Sequence, residues 1–318
     1  MSEFHATLGA GEATGLQESR QAIFETPGRV RLRIQNAVGT VEIDTDDIAR
    51  TEVSLVSLHP GADDLVRNSR VFEKSEGGVH EITVEIPKIR PRGGYWLGDD
   101  AGVRAQVLVP RDAEIQVATA SASVGARGSY RSVGVDTASG SICVEDATGP
   151  VKVTTAGGSV QVGSVGGAVN VRTASGDVRV DHVASGGKVA TASGDIEVKR
   201  VESPVRLRSI SGDIRVGEAL HGSSAETVSG NLRIERAAAG EIVLRSVSGD
   251  VFVAVAPGSL VRFDTVSMSG RVRSDIDLEP GRPASGERGA FEELSIQSKT
   301  VSGNISVLRA ARVSTDPE

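Results

Sequence analysis

Aromatic residues are scarce in this chain, which has one Trp, two Tyr and six Phe among 318 residues. An ordinary globular core of this size depends on such large side chains, so smaller residues must fill the interior. Cysteine is also nearly absent, because Cys143 is alone, and this excludes an intrachain disulfide framework. No uninterrupted apolar run approaches the roughly 18 residues that a membrane-spanning helix needs.

Residues 1–30 contain no basic segment followed by an apolar run, the pattern of a secretory signal. The sequence therefore favours a cytoplasmic location, with the cell surface as the alternative. A single free thiol also fits a reducing compartment.

Residue patterns for catalysis or metal binding are missing as well. The five histidines show no HExxH or related ligand spacing, and no base accompanies Cys143. No paired carboxylates can be assigned to one face, as a glycan-cleaving β-helix would require. We therefore expect a protein that is not an enzyme, with no catalytic residue, no cofactor and no metal. If the chain is an enzyme, a glycan-active β-helix is the alternative.

What the chain does have is a repeat. The segments DTASGSICV, RTASGDVRV, ATASGDIEV and ETVSGNLRI begin at residues 136, 172, 190 and 226. A fixed period of this kind is the signature of a solenoid. The Thr or Ser that opens each T-x-S-G unit, here called the marker, recurs every 18 residues and then at looser spacing: Thr119, Thr137, Thr155, Thr173, Thr191, Ser209 and Thr227, then Ser246, Thr265 and Thr300.

Two strands per coil are predicted from the columns of this repeat. Five and seven residues after the marker, β-branched residues or Leu dominate, with a mostly polar residue between them, as in Val178, Arg179 and Val180. Apolar residues recur 14 and 16 residues after the marker, for example at Val169 and Val171. This alternation indicates strands with one buried face, and the Ser-Gly steps between them are typical of tight corners.

The predicted fold class is all-β, a single-stranded parallel β-solenoid (β-helix) of about 18 residues per coil with an irregular β N-terminal cap. Residues 1–27 form a partly disordered segment and residues 28–118 an irregular β region with a degenerate first coil. Residues 119–310 form the regular solenoid, with a Pro- and Gly-rich loop excursion at 279–289, and residues 311–318 a tail. The acidic column Asp177, Asp195, Asp213 and Asp250, with Asn231, is interpreted as corner-forming rather than calcium-binding.

The order of these motifs resembles a known family. VRLRI and GTVEI within residues 28–44, VLVP at 107–110 and the TASGDVRV-type repeats are similar to the bacterial β-strand-repeat "putative adhesin" family, or Toastrack family. The resemblance extends over about residues 24–308. It implies a β-solenoid without known catalytic activity, found near cell-envelope stress or signalling modules, so we expect an interaction or scaffolding protein, with a surface adhesin as the alternative.

A basic stripe is predicted on the outer face of the second strand. Its residues lie 15 and 17 positions after the marker or nearby: Lys152, Arg172, Lys188, Arg206, Arg208 and Arg245. On a chain of formal net charge −7, this segregation could orient the protein on lipid headgroups, an anionic glycan or an acidic protein. A solvated strand face is the structural alternative. Sequence-specific nucleic-acid binding is not expected, since no aromatics are interleaved.

Two further features of the sequence each allow alternative interpretations. Tyr95 and Trp96 follow a Gly-Gly step and predict either an exposed contact loop or a plug over the first coil. The T-x-S columns would form a regular hydroxyl array for ice binding if the apolar x residue faced inward. We expect a monomer, although the sequence does not identify a partner.

Overall fold

The computed structural model describes residues 18–87, 102–276 and 293–310. The chain divides into two compact units, Met1–Gly167 and Ala168–Glu318. Parallel strands that pair at 18-residue steps build each unit, which confirms the predicted β-solenoid. Residues 88–101 with Tyr95 and Trp96, and residues 277–292 with the predicted excursion, lie outside the described residues.

The first unit contains eleven strands and two short helical segments among its described residues. The helical segments are a 3-10 turn at Pro60–Ala62 and α1 at Asp63–Arg67. The strands are β1 Ser19–Glu25, β2 Arg29–Asp46, β3 Arg50–Ser57, β4 Arg70–Glu76, β5 Val79–Glu85, β6 Val103–Pro110, β7 Glu114–Tyr130, β8 Ser132–Thr137, β9 Ile142–Ala147, β10 Val151–Gly157 and β11 Val160–Val165.

The first coil is one long strand, β2, that passes through both columns of the solenoid. Its two halves pair in parallel with the two halves of β7. Antiparallel strands then cover this coil, because β1 pairs with β3 and β3 pairs with β6. The β4–β5 hairpin turns at Gly77 and Gly78, whose φ values of 61° and 77° suit a type I′ turn.

The second unit continues with twelve strands in the part that the structure describes. They are β12 Val169–Ser175, β13 Val178–Val183, β14 Gly187–Ala190, β15 Ile196–Val201, β16 Val205–Arg208, β17 Ile214–Glu226, β18 Leu232–Arg245, β19 Val251–Val255, β20 Leu260–Ser267, β21 Val272–Ser274, β22 Glu293–Thr300 and β23 Ile305–Arg309. First strands pair with first strands, as in β13–β15, and second strands with second strands, as in β14–β16.

The predicted inward columns form the core. Val178 and Val180 are 1% and 0% exposed, and Val169 and Val171 are fully buried. The residue between them points to solvent, and exposed Arg179 makes a 2.7 Å ion pair with Glu197 of the next coil. Stacked Val and Ile side chains thus provide most of the buried apolar surface, because the chain has few aromatic residues.

The last coils do not stack in the order of the chain. The final segment, β22–β23, lies against β18–β19, and β20–β21 lies outside it. Ser302 forms a parallel bridge with Ser248. The C-terminal motif therefore occupies the level that strict chain order would have given to residues 260–274.

This order also changes one marker. Ser267 pairs with Thr300, and its hydroxyl donates to the carbonyl oxygen of Gly303 at 2.8 Å. Thr300 makes the equivalent bond to Gly249. Ser267, in the segment SMSG, is therefore the marker of that coil, and the assignment of Thr265 was wrong.

The ice-binding alternative is also wrong. The markers are buried, for instance Thr173 at 8% and Thr227 at 5% exposure. The apolar x residues face outward instead, with Ile210 and Val228 53% and 47% exposed. The markers are buried because their hydroxyl groups bond to corner carbonyls, as Thr227 does to Gly212 at 3.2 Å.

Candidate functional site

The basic stripe divides between the two units. Lys152 lies on β10 of the first unit, and the other five residues lie on second strands of the second unit. Parallel pairing places Lys188 directly beside Arg206. Arg172, Lys188 and Arg206 are exposed and make no ion pair with any described residue. Five of the six predicted residues are therefore brought onto one face.

Glu226 interrupts this face between two predicted members of the stripe. It lies between Arg208 and Arg245 in the strand register and accepts hydrogen bonds from both, at 2.5 Å and 3.2 Å. The hydrogen bond from Arg208 is the main reason that the pKa of Glu226 is lowered. Arg208 and Arg245 therefore contribute one net positive charge with Glu226 rather than two free ones.

Lys299 is a basic residue of this face that was missed from the sequence. It pairs with Arg245 across the β18–β22 ladder and is exposed. A signal was available, because Lys299 directly precedes marker Thr300 as Arg172 and Arg208 precede theirs. The non-sequential coil order brings this residue to the stripe. We define the basic face as Arg172, Lys188, Arg206, Arg208, Arg245 and Lys299.

Lys152 lines a shallow groove in the first unit. The groove has a volume of about 280 Å³, and Arg33, Gln116 and Asp136 also border it. Gly134 lies between Gln116 and Lys152 in the register, and its missing side chain leaves the space open. Asp136 balances one of the two cations, so this groove is less basic than the face of the second unit.

The acidic column forms a hydrogen-bonded ladder between coils. An Oδ1 atom of each residue accepts the backbone N–H of the next level, as Asp195 does from Asp213 at 2.8 Å and Asp213 from Asn231 at 2.7 Å. The prediction of side-chain bonds to backbone is confirmed, but the bonds join neighbouring coils rather than closing each corner. No group of His, Cys, Asp and Glu in the described ranges could hold a metal ion.

A longer groove runs beside this ladder over the first strands of the second unit. It has a volume of about 590 Å³. The ladder residues line it together with the neighbouring outward column, which contains Arg215, Arg233 and Phe252. The Arg233 guanidinium carbon lies 4.2 Å above the Phe252 ring, a cation–π contact that occupies one face of that ring. Arg215 is paired with Glu235 at 2.8 Å. The free hydrogen-bonding capacity of this groove is therefore reduced.

Cys143 lies on the outer face of β9 and is exposed, as the repeat column predicted. Tyr95 and Trp96 fall outside the described residues, so their assignment as a contact loop or plug stays a prediction. Within the described ranges, no helix is long and apolar enough to cross a membrane.

Among the solved structures that match this chain are three bacterial proteins of low sequence identity, and no curated protein matches it. A "putative cell adhesion protein" from Clostridium sporogenes has 10% identity and a TM-score of 0.25, over 92% of this chain and 99% of that one. A "putative adhesin" from Bacteroides fragilis has 10% identity and a TM-score of 0.37, over 91% and 97%. A "putative lipid binding protein" from Parabacteroides distasonis has 15% identity and a TM-score of 0.33, over 92% and 97%.

The family model provides the assignment. It matches residues 66–275, about two thirds of the chain, and this range contains most of the regular coils. The chain belongs to the Toastrack DUF4097 family.

Proposed function

We propose that this chain is a non-enzymatic interaction module whose basic face binds an anionic surface, either lipid headgroups or an acidic glycan. The observation that carries the proposal is a set of three cations, Arg172, Lys188 and Arg206, on successive coils of one unit. None of them has an ion pair within the part of the chain that the structure describes. Parallel strands lie about 4.8 Å apart, so these charges act on one ligand surface together.

The rest of the charge distribution supports this orientation. The residues of the acidic column are held in the ladder at the corner, and Glu226 is the acid within the second-strand column between Arg208 and Arg245. The basic face keeps a net positive charge although the chain carries −7 overall. Because the chain is negatively charged overall and this face is positively charged, an anionic surface should attract only this face, and the protein should bind in one orientation.

The absence of catalysis is part of the proposal. In the described residues, many carboxylates of the repeat accept backbone N–H groups or pair with basic side chains, as Asp213 and Glu197 do. These bonds give them a structural role. A protein that binds through a repeated surface needs many equal contacts rather than one special residue.

The test is co-sedimentation with vesicles of phosphatidylcholine with and without phosphatidylglycerol, and in parallel with an immobilised acidic glycan. Binding should fall steeply as salt rises, because the Debye length shrinks from about 10 Å at 0.1 M to about 3 Å at 1 M. The variant Arg172→Glu/Lys188→Glu/Arg206→Glu should lose binding.

The matched control is Arg179→Glu/Arg215→Glu/Arg233→Glu, which makes the same change of net charge on the first-strand face of the same unit. It should keep binding. Equal loss in both variants, or no binding of the unmodified chain to either surface at low salt, contradicts the proposal.

A further inference from the structure

An apolar column is exposed along one corner of the second unit. It consists of the x residues of successive T-x-S-G steps, in the spatial order Ala174, Ala192, Ile210, Val228, Val247, Val301 and Met268. The five large members are between 45% and 78% exposed. We call this column the apolar ridge. Contiguous exposed apolar surface of this kind marks an interaction site in a soluble protein.

Backbone hydrogen bonds fix the stacking of the ridge. The carbonyl oxygen of Ile210 accepts from the N–H of Ser229, and that of Val228 accepts from Ser248, at 2.9 Å and 2.8 Å. The carbonyl of Val247 accepts from Ser302 in the same way. The seven levels therefore form one continuous strip about 29 Å long, at about 4.8 Å per level.

Charged columns of opposite sign border the ridge on its two sides. On one side, the residue before each marker forms a basic rail, and on the other, the acidic ladder forms an acidic rail. The basic rail, level by level, is Arg172, Ala190, Arg208, Glu226, Arg245, Lys299 and Val266. The acidic rail is Asp177, Asp195, Asp213, Asn231, Asp250, Asn304 and Arg271.

The two rails carry opposite charges at three of the seven levels, and the first of these levels holds Arg172 and Asp177. Arg208 shares a level with Asp213, and Arg245 shares one with Asp250. Where the basic rail carries Glu226, the acidic rail carries neutral Asn231. No level of the described coils therefore pairs two like charges across the ridge.

We propose that the apolar ridge is the contact surface for a second copy of this chain, with a two-fold axis parallel to the coil axis. That axis places the basic rail of one copy opposite the acidic rail of the other at the same level. A two-fold axis perpendicular to the coil axis would instead place like rails together. The isologous arrangement packs each ridge residue against its own counterpart. The basic rail shares Arg172, Arg208, Arg245 and Lys299 with the basic face, so the dimer and an anionic surface would compete for these four cations. The proposal differs from the monomer expected from the sequence.

Charge favours this occupant over a membrane. An anionic bilayer would attract the basic rail and could bury the apolar ridge, but it would repel the acidic rail. A second copy instead offers an acidic rail to the basic rail, a basic rail to the acidic rail and an apolar surface to the ridge. The strip is narrow, so it buries far less than the roughly 1,600 Å² of a standard interface. The dimer is therefore weak and reversible.

Sedimentation equilibrium over a range of protein concentrations tests the association. The unmodified chain should dimerise reversibly, and Val228→Glu should raise the dissociation constant by more than about tenfold because a carboxylate would be buried without a partner. Val228→Thr, which keeps the shape, should give a smaller rise. The matched control is Ile23→Glu, an exposed apolar residue of the first unit at 55% exposure, which should dimerise normally.

Cysteine cross-linking in a Cys143→Ser background tests the axis. Ile210→Cys should form a disulfide between copies, and a mixture of Ile210→Cys with Val247→Cys should give no mixed dimer, because those levels meet only when the coil axes are antiparallel. Lys199→Cys, on another face, should not cross-link. A monomer at every concentration overturns the proposal, as does a mixed 210–247 disulfide, or a monomer whose vesicle binding is lost in Val228→Glu.

Discussion

The backbone N–H of Asn304 donates to Oδ1 of Asp250 at 2.7 Å, across 54 residues of sequence. The same contact joins Asp195 to Asp213 across 18 residues. Asn304 also accepts from the backbone N–H of Arg271, at 3.1 Å. The C-terminal motif is therefore held between two coils that precede it in the chain, and residues 293–309 are part of the stack of coils.

This coil order predicts which cysteine pair can form a disulfide. In a Cys143→Ser background, Ser248→Cys/Ser302→Cys should cross-link on oxidation, because these residues form a bridge between adjacent coils. Ser248→Cys/Ser269→Cys should not, since those positions lie two levels apart, about 9.6 Å, beyond the usual Cα range for a disulfide. Mass spectrometry of the oxidised variants measures the outcome, and the opposite pattern would restore sequential stacking.

The strand alternation is tested at two neighbouring residues. Val178→Asp should lower the free energy of unfolding by several kcal/mol, because it buries a carboxylate without a partner at a position 1% exposed. Arg179→Asp should cost less than about 1 kcal/mol, since it removes one exposed ion pair with Glu197. Urea denaturation compares the two variants. Equal destabilisation would mean that the assigned register is wrong.

The columns of the regular coils could be predicted because the 18-residue period repeats the same environment. Val178, Val198 and Ile214 lie in the core for one reason, the pairing of each strand with its equivalent. The repeat period alone does not determine which coil a segment packs against after a long connection. The position of residues 293–309 in the stack could therefore not be predicted. Ser267 was missed for the same reason, since its spacing from Ser246 is irregular.

The candidate site was predicted in outline. Arg172, Lys188 and Arg206 followed from the outward column, and the structure places them on one face. The ion pairs of Arg208 and Arg245 with Glu226 were not predicted, although Glu226 directly precedes marker Thr227. Whether two charged side chains form an ion pair depends on whether the strand register places them side by side. The bulge between His221 and Ser223 shifts the register of β17 against β18.

Tyr130 is the largest fully buried side chain of the described residues and was not predicted as core, since it lies outside the repeat columns. Its hydroxyl lies 2.7 Å from the carbonyl oxygen of Ile43, to which it donates. Tyr130→Phe should therefore cost about 1 kcal/mol, and Tyr130→Ala about 3–5 kcal/mol because of the cavity. Chemical denaturation measures both, and equal costs would place the ring at the surface.

The same tyrosine predicts a loss of stability in alkali. Burial raises the pKa of Tyr130 in the folded state, so its contribution is complete below the unfolded value of about 10 and is lost as pH rises above it. The stability advantage of the unmodified chain over Tyr130→Phe should shrink above that pH. An advantage that stays constant into alkali would show that the hydroxyl ionises freely in the fold.

Cys143 should react with a thiol reagent in the native state, because it is exposed on the outer face of β9. Its neighbours in the register are Gly125 and Gln161, and the glycine leaves one side open. The rate should approach that of the unfolded chain, measured by absorbance with a chromogenic disulfide. Labelling that begins only after denaturant is added would mean that the strand is shifted by one residue.

Glu226 predicts a pH dependence of the opposite sign. The hydrogen bond from Arg208 holds its pKa below the ordinary value of about 4.3. Its contribution to stability is therefore complete above that value and is lost as pH falls through the lowered one. The difference in unfolding free energy between the unmodified chain and Glu226→Gln should be less than about 1 kcal/mol near neutrality, since the pair is largely exposed, and should vanish in acid.

Arg208→Gln should move the Glu226 titration, followed by NMR, back toward its ordinary range. A Glu226 titration that Arg208→Gln leaves unchanged would show that the hydrogen bond from Arg208 does not form in solution, and Arg208 would then be a free cation of the basic face.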